Sequence, residues 1–126
     1  MPVIATEILE RHAADSVCHL ATTGRRSGRA RVIEIWFATD GERVYILAGG
    51  RDRAHWVRNI RADDRVRLRL GGTTLAGRGR IVTDAAEELR ARQLVAAKYQ
   101  GWSEGRPLSA WAARSLPVAV DLGQEA

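Results

Sequence analysis

The sequence predicts a small, mainly β protein: an antiparallel barrel with short helices added around it. About six segments have the β-branched and aromatic composition of strands, and glycine-containing turns separate them at short spacing. The segment "RVRLRL" at 65–70 alternates strictly between arginine and aliphatic residues, which is the pattern of a half-buried strand. The chain of 126 residues corresponds to one domain, 1–126, and can bury a core without disulfides or metals.

The first half of the chain is predicted to form one helix and two hairpins. A short helix is expected over 3–14, with Ile4 and Ile8 on its apolar side. Strands at 16–22 and 30–38 flank the turn "TTGRRSGRAR" and form the first hairpin. The Asp-Gly turn in "TDGER" then joins strand 30–38 to "RVYILAG" in a second hairpin.

A change of pattern follows the second hairpin. The stretch "RDRAHWVRNIRADD" places Trp56 and Ile60 at helical spacing among arginines, which predicts a short amphipathic helix. The alternating strand at 65–70 comes next, and the pair Gly71-Gly72 turns the chain into its antiparallel partner, "TLAGRGRIV".

The longest helix is predicted over about 84–99, in "TDAAEELRARQLVAAKY". Thr83 or Asp84 can cap its N-terminus, and Glu87 can complete a capping box. A last short strand, "SLPVAVDL", closes the barrel.

Composition and charge exclude several classes of protein. The single cysteine, Cys18, excludes an internal disulfide framework and a cysteine-rich zinc site, and we expect it in the core. No apolar stretch approaches the roughly 20 residues that span a bilayer. The N-terminus carries acids and lacks the long apolar run of a signal peptide, so we expect a cytoplasmic protein. The net charge of +5 comes from 20 Lys and Arg against 15 Asp and Glu.

The familiar catalytic motifs are missing from the sequence. It contains neither G-x-S-x-G nor a nucleotide loop of the G-x-x-x-x-G-K type. His12, His19 and His55 lack metal-ligand spacing with nearby carboxylates, so no metal site is predicted. An enzyme with this sequence therefore depends on a bound cofactor for its reactive group.

The turn "TTGRRSGRAR" is more basic than a hairpin requires. Glycines let the backbone approach a ligand, and guanidinium groups bind phosphate or carboxylate oxygens in pairs. A solvated basic turn explains most of these arginines equally well. Arg31 favours an anion site, because alternation places it on the same face as Ile33 and Ile35. The four arginines of the turn are Arg25, Arg26, Arg29 and Arg31.

Two further features leave the function open. Four tryptophans accompany one phenylalanine; this is consistent with a flat aromatic ligand, although core packing is the simpler explanation for each tryptophan. The hairpin 65–82 carries outward arginines, a pattern typical of a β-ribbon that binds nucleic acid and, more commonly, of a solvated sheet face. These arginines are Arg67, Arg69, Arg78 and Arg80.

Three segments in this order resemble the deazaflavin-dependent oxidoreductases often described as nitroreductases. They are "LATTGRRSGRAR", "WVRNIRADDRVRLRL" and "SLPVAV", and the resemblance covers residues 16 to 121. This family belongs to the flavin-reductase-like split-barrel superfamily, which also contains pyridoxamine phosphate oxidase. The resemblance implies a split antiparallel barrel that binds coenzyme F420, a deazaflavin with a phosphate and a polyglutamate tail.

The resemblance also implies roles for particular residues. Arg25, Arg26, Ser27 and Gly28, with Arg31 beside them, would meet the phosphate and the acidic tail. The loop after the second hairpin would lie along the ribityl chain and the ring edge, and three further residues would shape the ring pocket. The loop residues are Ala48, Gly49, Gly50 and Arg51. The pocket residues are Trp36, Trp56 and Asn59. Tyr99 is a candidate proton donor.

The resemblance implies an enzyme that passes a hydride from reduced F420 to a small acceptor such as a quinone, a nitro compound or an activated alkene. The proton would come from Tyr99 or from solvent. Two alternatives stay open: a split barrel that binds FMN, and, from a different class, a basic barrel that binds nucleic acid. Split barrels of this kind are commonly dimers, which makes a homodimer one candidate assembly, although the sequence does not fix the oligomeric state. No nucleic-acid partner is expected.

Overall fold

The computed structural model describes residues 2–123, with side chains from Ala5 onward. The side chain of Ile4 and residues 124–126 therefore lie outside the described part of the chain. Seven antiparallel strands form one curled sheet, a mainly β split barrel with short helices around it, which confirms the predicted fold class. No helix in residues 2–123 is long and apolar enough to cross a membrane.

The sheet has seven strands where about six were expected. Their order is β2-β1-β5-β6-β7-β4-β3, so β2 and β3 are the two edges. Every pairing is antiparallel, and β1 and β2 form the predicted first hairpin. The strands are β1 (Cys18–Thr23), β2 (Ala30–Ile35), β3 (Ala38–Thr39), β4 (Arg43–Ala48), β5 (Arg65–Leu70), β6 (Thr73–Ile81) and β7 (Leu116–Leu122).

The extra strand arises because the predicted strand 30–38 is not continuous. It ends at Ile35, and Trp36 and Phe37 carry the chain from one edge of the sheet to the other before β3 begins at Ala38. The predicted Asp-Gly turn joins β3 to β4, whereas β4 pairs with β7 on its other side. We call residues 36–37 the seam, because they link the two open edges of the barrel.

The helices follow the predictions closely. The predicted helix 3–14 is observed as α1 (Pro2–His12), and the predicted helix 84–99 as α3 (Ala85–Tyr99). The stretch after Gly50 forms a 3₁₀ turn, Arg51–Arg53, and then α2 (His55–Ala62). A short helix, α4 (Ala110–Arg114), precedes β7 and was not predicted.

The core of the barrel is formed by the inward faces of the strands. In β5, Val66, Leu68 and Leu70 are buried while the arginines between them are exposed, as the alternation predicted. Cys18 is fully buried, and burial raises the pKa of its thiol to about 12. Helix α1 contributes Leu9 to this core, whereas α3 packs on the outside of the sheet.

Helix α2 lies against β6 because a glycine leaves room for it. A Cβ atom at Gly79 would stand 2.8 Å from Cδ1 of Ile60 and 3.2 Å from its Cγ2. Ile60 and Val57 enter the core from the same helix. This contact determines how close α2 lies to the sheet, and with it the position of the polar face of α2.

A charged network fastens the start of α3 to the sheet. Arg80 on β6 donates to Glu87 at 2.8 and 2.9 Å and to Asp121 at 2.7 Å, and the Tyr45 hydroxyl donates to Glu87 at 2.8 Å. Asp84 caps α3 by accepting from the Glu87 backbone N–H at 2.9 Å. The predicted capping box is therefore only half formed, because the Glu87 carboxylate binds Arg80 and Tyr45 instead of turning back to the cap.

Because of this network, part of the free energy of unfolding depends on pH and is lost at low pH. The hydrogen bond from Arg80 lowers the pKa of Glu87 to about 2, from an ordinary 4.5. A carboxylate whose pKa falls on folding stabilises the protein above its unfolded pKa and loses that effect as the pH falls through the folded value. We expect the free energy of unfolding to drop by roughly 1–3 kcal/mol between pH 4.5 and 2 on this account.

Glu87→Gln tests this expectation, with denaturant unfolding measured from pH 7 to pH 2. The variant is less stable at pH 7 and shows a shallower loss below pH 4.5, because its amide does not titrate. Parallel curves for the two proteins would contradict the assignment of the acid sensitivity to Glu87.

Candidate functional site

The basic turn between β1 and β2 is compact and closed by backbone hydrogen bonds. Gly24 N–H donates to the Arg29 carbonyl at 2.7 Å, and Gly28 N–H donates to the Gly24 carbonyl at 2.8 Å. Gly28 has a φ of +74°, a left-handed conformation that favours glycine. A Cβ atom at Gly24 would stand 2.8 Å from the Ser27 hydroxyl and 3.1 Å from the Arg29 carbonyl. The turn therefore has room for glycine only at this position.

Asn59 on α2 holds the turn in place. Its Oδ1 accepts from the Arg25 backbone N–H at 3.2 Å and from Nη1 of the Arg25 side chain at 2.8 Å. Its Nδ2 donates to Oγ1 of Thr22 at 3.1 Å. Asn59 is buried, with 3% of its surface exposed. It acts on the turn through Arg25, whereas the resemblance to the family had implied a place in the ring pocket.

The turn and α2 enclose a cleft of about 450 Å³, which we call the basic cleft. It brings together six of the predicted site residues: Arg25, Arg26, Ser27, Arg31, Trp56 and Asn59. Among residues 2–123, no carboxylate side chain lines it. Such a cleft is suited to a ligand that carries several negative charges.

Two further basic residues that line the basic cleft were not predicted to be site residues. His55 and Arg58 both line it, from the same face of α2 as Trp56 and Asn59. Their spacing, i and i+3, is the helical spacing that puts two side chains on one face, so the pattern was present in "HWVRN". Arg31 was expected beside apolar residues; it lines the cleft with Ile33 but is itself exposed.

A second cleft, of about 660 Å³, lies beside the seam; we call it the aromatic cleft. Trp36 is 43% exposed, and its ring stacks on Tyr99, with centroids 4.3 Å apart and planes within 3° of parallel. Trp111 meets Trp36 edge-on at 5.7 Å and 80°. The lining residues are Val17, Glu34, Ile35, Trp36, Leu47, Gln100 and Trp111.

Strand β2 connects the two clefts. Arg31 and Ile33 line the basic cleft, whereas Ile35 and Trp36 line the aromatic cleft. Ile33 and Ile35 lie on the same face of an extended strand, so their side chains are about 7 Å apart. An elongated ligand bound along β2 would therefore have its anionic part at Arg31 and its flat part near Trp36.

The loop after β4 approaches the aromatic cleft through Trp111. A Cβ atom at Gly49 would stand 2.8 Å from Nε1 of Trp111, so the indole packs directly against this glycine. Arg51 has a left-handed backbone, with a φ of 53°, and its guanidinium donates to the Arg114 carbonyl at the end of α4. The loop and α4 are thereby tied together.

Several predicted residues line neither cleft. Gly49, Gly50, Arg51 and Tyr99 stand behind the lining of the aromatic cleft, and Ala48 and Gly28 lie elsewhere. Ala48 is buried, with its side chain in the barrel core. Gly28 lines a different groove, on a face of the sheet that also carries Arg65, Arg67 and Arg78. Gly28 therefore shapes the turn and does not line the basic cleft.

The Tyr99 hydroxyl is occupied by the backbone of the seam and of the segment before β1. It accepts from the Phe37 N–H at 3.1 Å and donates to the Ser16 carbonyl at 2.7 Å, with the Phe37 carbonyl also 3.1 Å away. Burial raises the pKa of this phenol above its ordinary value. These contacts favour a structural role over the predicted role of proton donor.

The arginine stripe considered for nucleic acid is partly neutralised. Arg78 pairs with Asp64 at 2.6 Å, and Arg80 binds Glu87 and Asp121. Arg67 and Arg69 are exposed on β5. Within residues 2–123 there is also no group of three or more His, Cys, Asp or Glu side chains that could hold a metal ion.

The curled antiparallel sheet and its seam define a protein of the split-barrel class, and the sequence match narrows this class to a family. Residues 5–123 match the model of the F420H(2)-dependent quinone reductase family, so the chain belongs to that family. Family membership supports F420-dependent reduction in general.

Solved structures show the same fold at low sequence identity. An F420-H2 dependent reductase is 21% identical, with a TM-score of 0.62 over 86% of this chain and 95% of that one. A FAD-binding protein from Mesorhizobium loti is 20% identical, with a TM-score of 0.65 over 98% and 91%. A candidate pyridoxamine 5′-phosphate oxidase from Listeria innocua is 16% identical, with a TM-score of 0.68 over 94% and 90%.

Tyr99→Phe distinguishes the two roles of the hydroxyl. The variant leaves the Phe37 N–H without its acceptor, so we expect the free energy of unfolding to fall by about 1–3 kcal/mol. The rate of F420H2 oxidation per folded molecule should stay within about threefold of wild type, because in the structural role the Tyr99 hydroxyl does not supply the proton of the reaction. A proton donor would behave differently, with a loss on the order of a hundredfold or more in rate and an unchanged stability.

Two neighbouring glycines offer a matched test of the loop. In Gly49→Ala the new methyl group must displace the Trp111 indole, whereas in Gly50→Ala its nearest neighbour is an ordinary 3.7 Å away. We expect Gly49→Ala to weaken F420 binding by roughly tenfold and to change the near-UV circular dichroism, because overpacking forces the ring out of place. Gly50→Ala should match wild type in both measurements. Equal effects from the two substitutions would contradict a role of the Gly49–Trp111 contact in F420 binding.

Proposed function

We propose that the protein is an F420H2-dependent reductase that passes a hydride to a small acceptor: a quinone, a nitro compound or an activated alkene. One observation carries the proposal: among the described residues, β2 lines both a cleft with four arginines and no carboxylate and, further along the strand, an aromatic cleft. F420 has a matching layout, with a phosphate and an acidic tail at one end and a flat deazaflavin at the other.

In this proposal the arginines of the basic cleft bind the phosphate and the first carboxylates of the tail. Arg26, Arg31 and Arg58 offer guanidinium groups to the cleft, and such groups bind oxyanions in pairs. Arg25 is held by Asn59, which fixes the direction of one guanidinium before a ligand arrives. Ser27 accepts from the Arg29 backbone N–H at 3.1 Å, and this bond keeps the turn closed.

The flat ring is assigned to the part of the site nearer the aromatic cleft, beside Ile35 and Trp36, with Trp56 at the boundary to the basic cleft. When bound, reduced F420 supplies the hydride. The chain contributes orientation, with the indoles of Trp36 and Trp111 lining the cleft beside the ring. Gly49 and Gly50 let the backbone of the loop approach the ring edge, where N–H groups can stabilise developing negative charge.

The proton for a neutral acceptor is assigned to solvent. Tyr99 was the other candidate, and its hydroxyl is already bound to Ser16 and Phe37. The aromatic cleft opens to solvent through Trp36, which is 43% exposed. Water can therefore reach an acceptor in the cleft.

The proposal includes a cytoplasmic homodimer. The observation that supports a dimer is Val32, a residue that is 60% exposed on the edge strand β2. An exposed aliphatic residue on a sheet edge is the kind of surface that a second copy covers.

Titration with three cofactors tests the proposal. F420, FMN and FAD are added to the protein while tryptophan fluorescence is followed, and F420 is expected to quench it at the lowest concentration. Tight FMN binding with no response to F420 would move the protein to the flavin-binding alternative. A response to none of the three would overturn the proposed function.

The salt dependence of binding tests the anion end. Exposed charge pairs are screened over roughly 8–10 Å at moderate ionic strength, so F420 affinity should fall as salt is added. Arg26→Ala and Arg31→Ala should each weaken binding about tenfold at low salt and flatten the salt dependence. Arg67→Ala removes an equally exposed arginine outside the cleft and should change affinity by less than about twofold. If only Arg67→Ala had an effect, a nucleic-acid surface would be favoured.

A further inference from the structure

Arg25 and His55 form an unusual pair in the basic cleft. Nη2 of Arg25 lies 3.3 Å from Nδ1 of His55, and Nη1 of the same guanidinium lies 3.5 Å from the His55 carbonyl. A guanidinium has donors only and is always charged. Nδ1 can therefore take part in this contact only as an acceptor, which is its role in the tautomer that carries the proton on Nε2.

The tautomer leaves one donor of His55 without a partner. Within residues 2–123, the His55 side chain makes no hydrogen bond other than the one with Arg25. The charged groups around it are Arg25, Arg26 and Arg31 from the turn and β2, and Arg58 from its own helix. The carboxylate of Asp52 is not among the cleft residues; it is the Asp52 backbone carbonyl that accepts from Nε of Arg58, at 3.0 Å.

We infer that His55 is an anion-binding residue that donates from Nε2–H to a phosphate or carboxylate oxygen of the ligand. Arg25 acts as a positioning residue in this contact, because its donor selects the tautomer and Asn59 in turn holds the guanidinium. The inference rests on the proposed function and adds to it a neutral, directional donor among four full charges. It also gives α2 a direct role in ligand binding.

Two readouts test the role of His55. The first uses the free protein: ¹⁵N shifts of the imidazole nitrogens at pH 8 should show Nε2 protonated at His55, and Arg25→Ala should return His55 to the mixed tautomers of an exposed histidine. The second is the dissociation constant for F420, from tryptophan quenching at pH 8. His55→Ala should weaken binding about tenfold, the cost of one charge-assisted hydrogen bond.

Two conservative variants show whether His55 acts as a hydrogen-bond donor or only fills space in the cleft. The terminal amide of His55→Gln can stand near the position of Nε2 and should restore most of the affinity. His55→Asn can reproduce only the Nδ1 side and should bind as weakly as His55→Ala. His19→Gln, on β1 outside the cleft, is the histidine control and should bind like wild type.

The outcomes distinguish this inference from the proposed function. If wild type does not bind F420, both fall. If wild type binds and His55→Ala binds equally well, or if the Nδ1-protonated tautomer is found at His55, the inference about His55 is overturned and the proposed function stands.

Discussion

Two side chains at the end of α3 hold the barrel at the point where its two edges meet. Phe37 is in the seam, where no neighbouring strand satisfies its backbone. Tyr99 accepts from the Phe37 N–H at 3.1 Å, and Nζ of Lys98 donates to the Phe37 carbonyl at 2.9 Å. An unpaired buried backbone group costs a few kcal/mol, so these bonds allow the chain to leave β2 and begin β3 within two residues. The position of β2, and with it of both clefts, depends on them.

Lys98 is the only lysine among the 20 basic residues of Lys and Arg, and its surroundings explain why arginine would fit poorly. Its ammonium lies 3.6 Å from the centroid of the Phe37 ring while it donates to the carbonyl of the same residue. A compact charge on a flexible stem can make both contacts in a small space, whereas a planar guanidinium is broader. Burial lowers the pKa of Lys98, which is the energetic cost of placing a charge at the seam.

Sequence patterns predicted the parts of the molecule that depend on near neighbours. The alternation at 65–70, the Asp84 cap and the compact turn at Gly24–Gly28 each follow from a few adjacent residues. The break in the predicted strand 30–38 at Trp36 could not be predicted, because it depends on the side chains of Lys98 and Tyr99, about sixty residues further along the chain. Helical spacing put His55 and Arg58 on one face with Trp56, but it could not show that this face meets the turn, because that depends on how α2 lies on the sheet. Gly79 allows the close approach of α2, and Gly49 allows that of Trp111, because neither glycine has a side chain.

The chemistry of residue 59 shows how the basic cleft keeps its charge. An aspartate there would accept from Arg25 just as well, but it would neutralise the guanidinium and could not donate to Thr22. The amide of Asn59 does both tasks, accepting twice from Arg25 and donating once to Thr22, without adding a negative charge. In the described part of the chain, four arginines and no carboxylate line the cleft, so a bound anion would relieve their mutual repulsion. On the proposed function, a neutral residue that orients a charge without pairing with it suits an anion-binding site, because the guanidinium stays free to pair with the ligand.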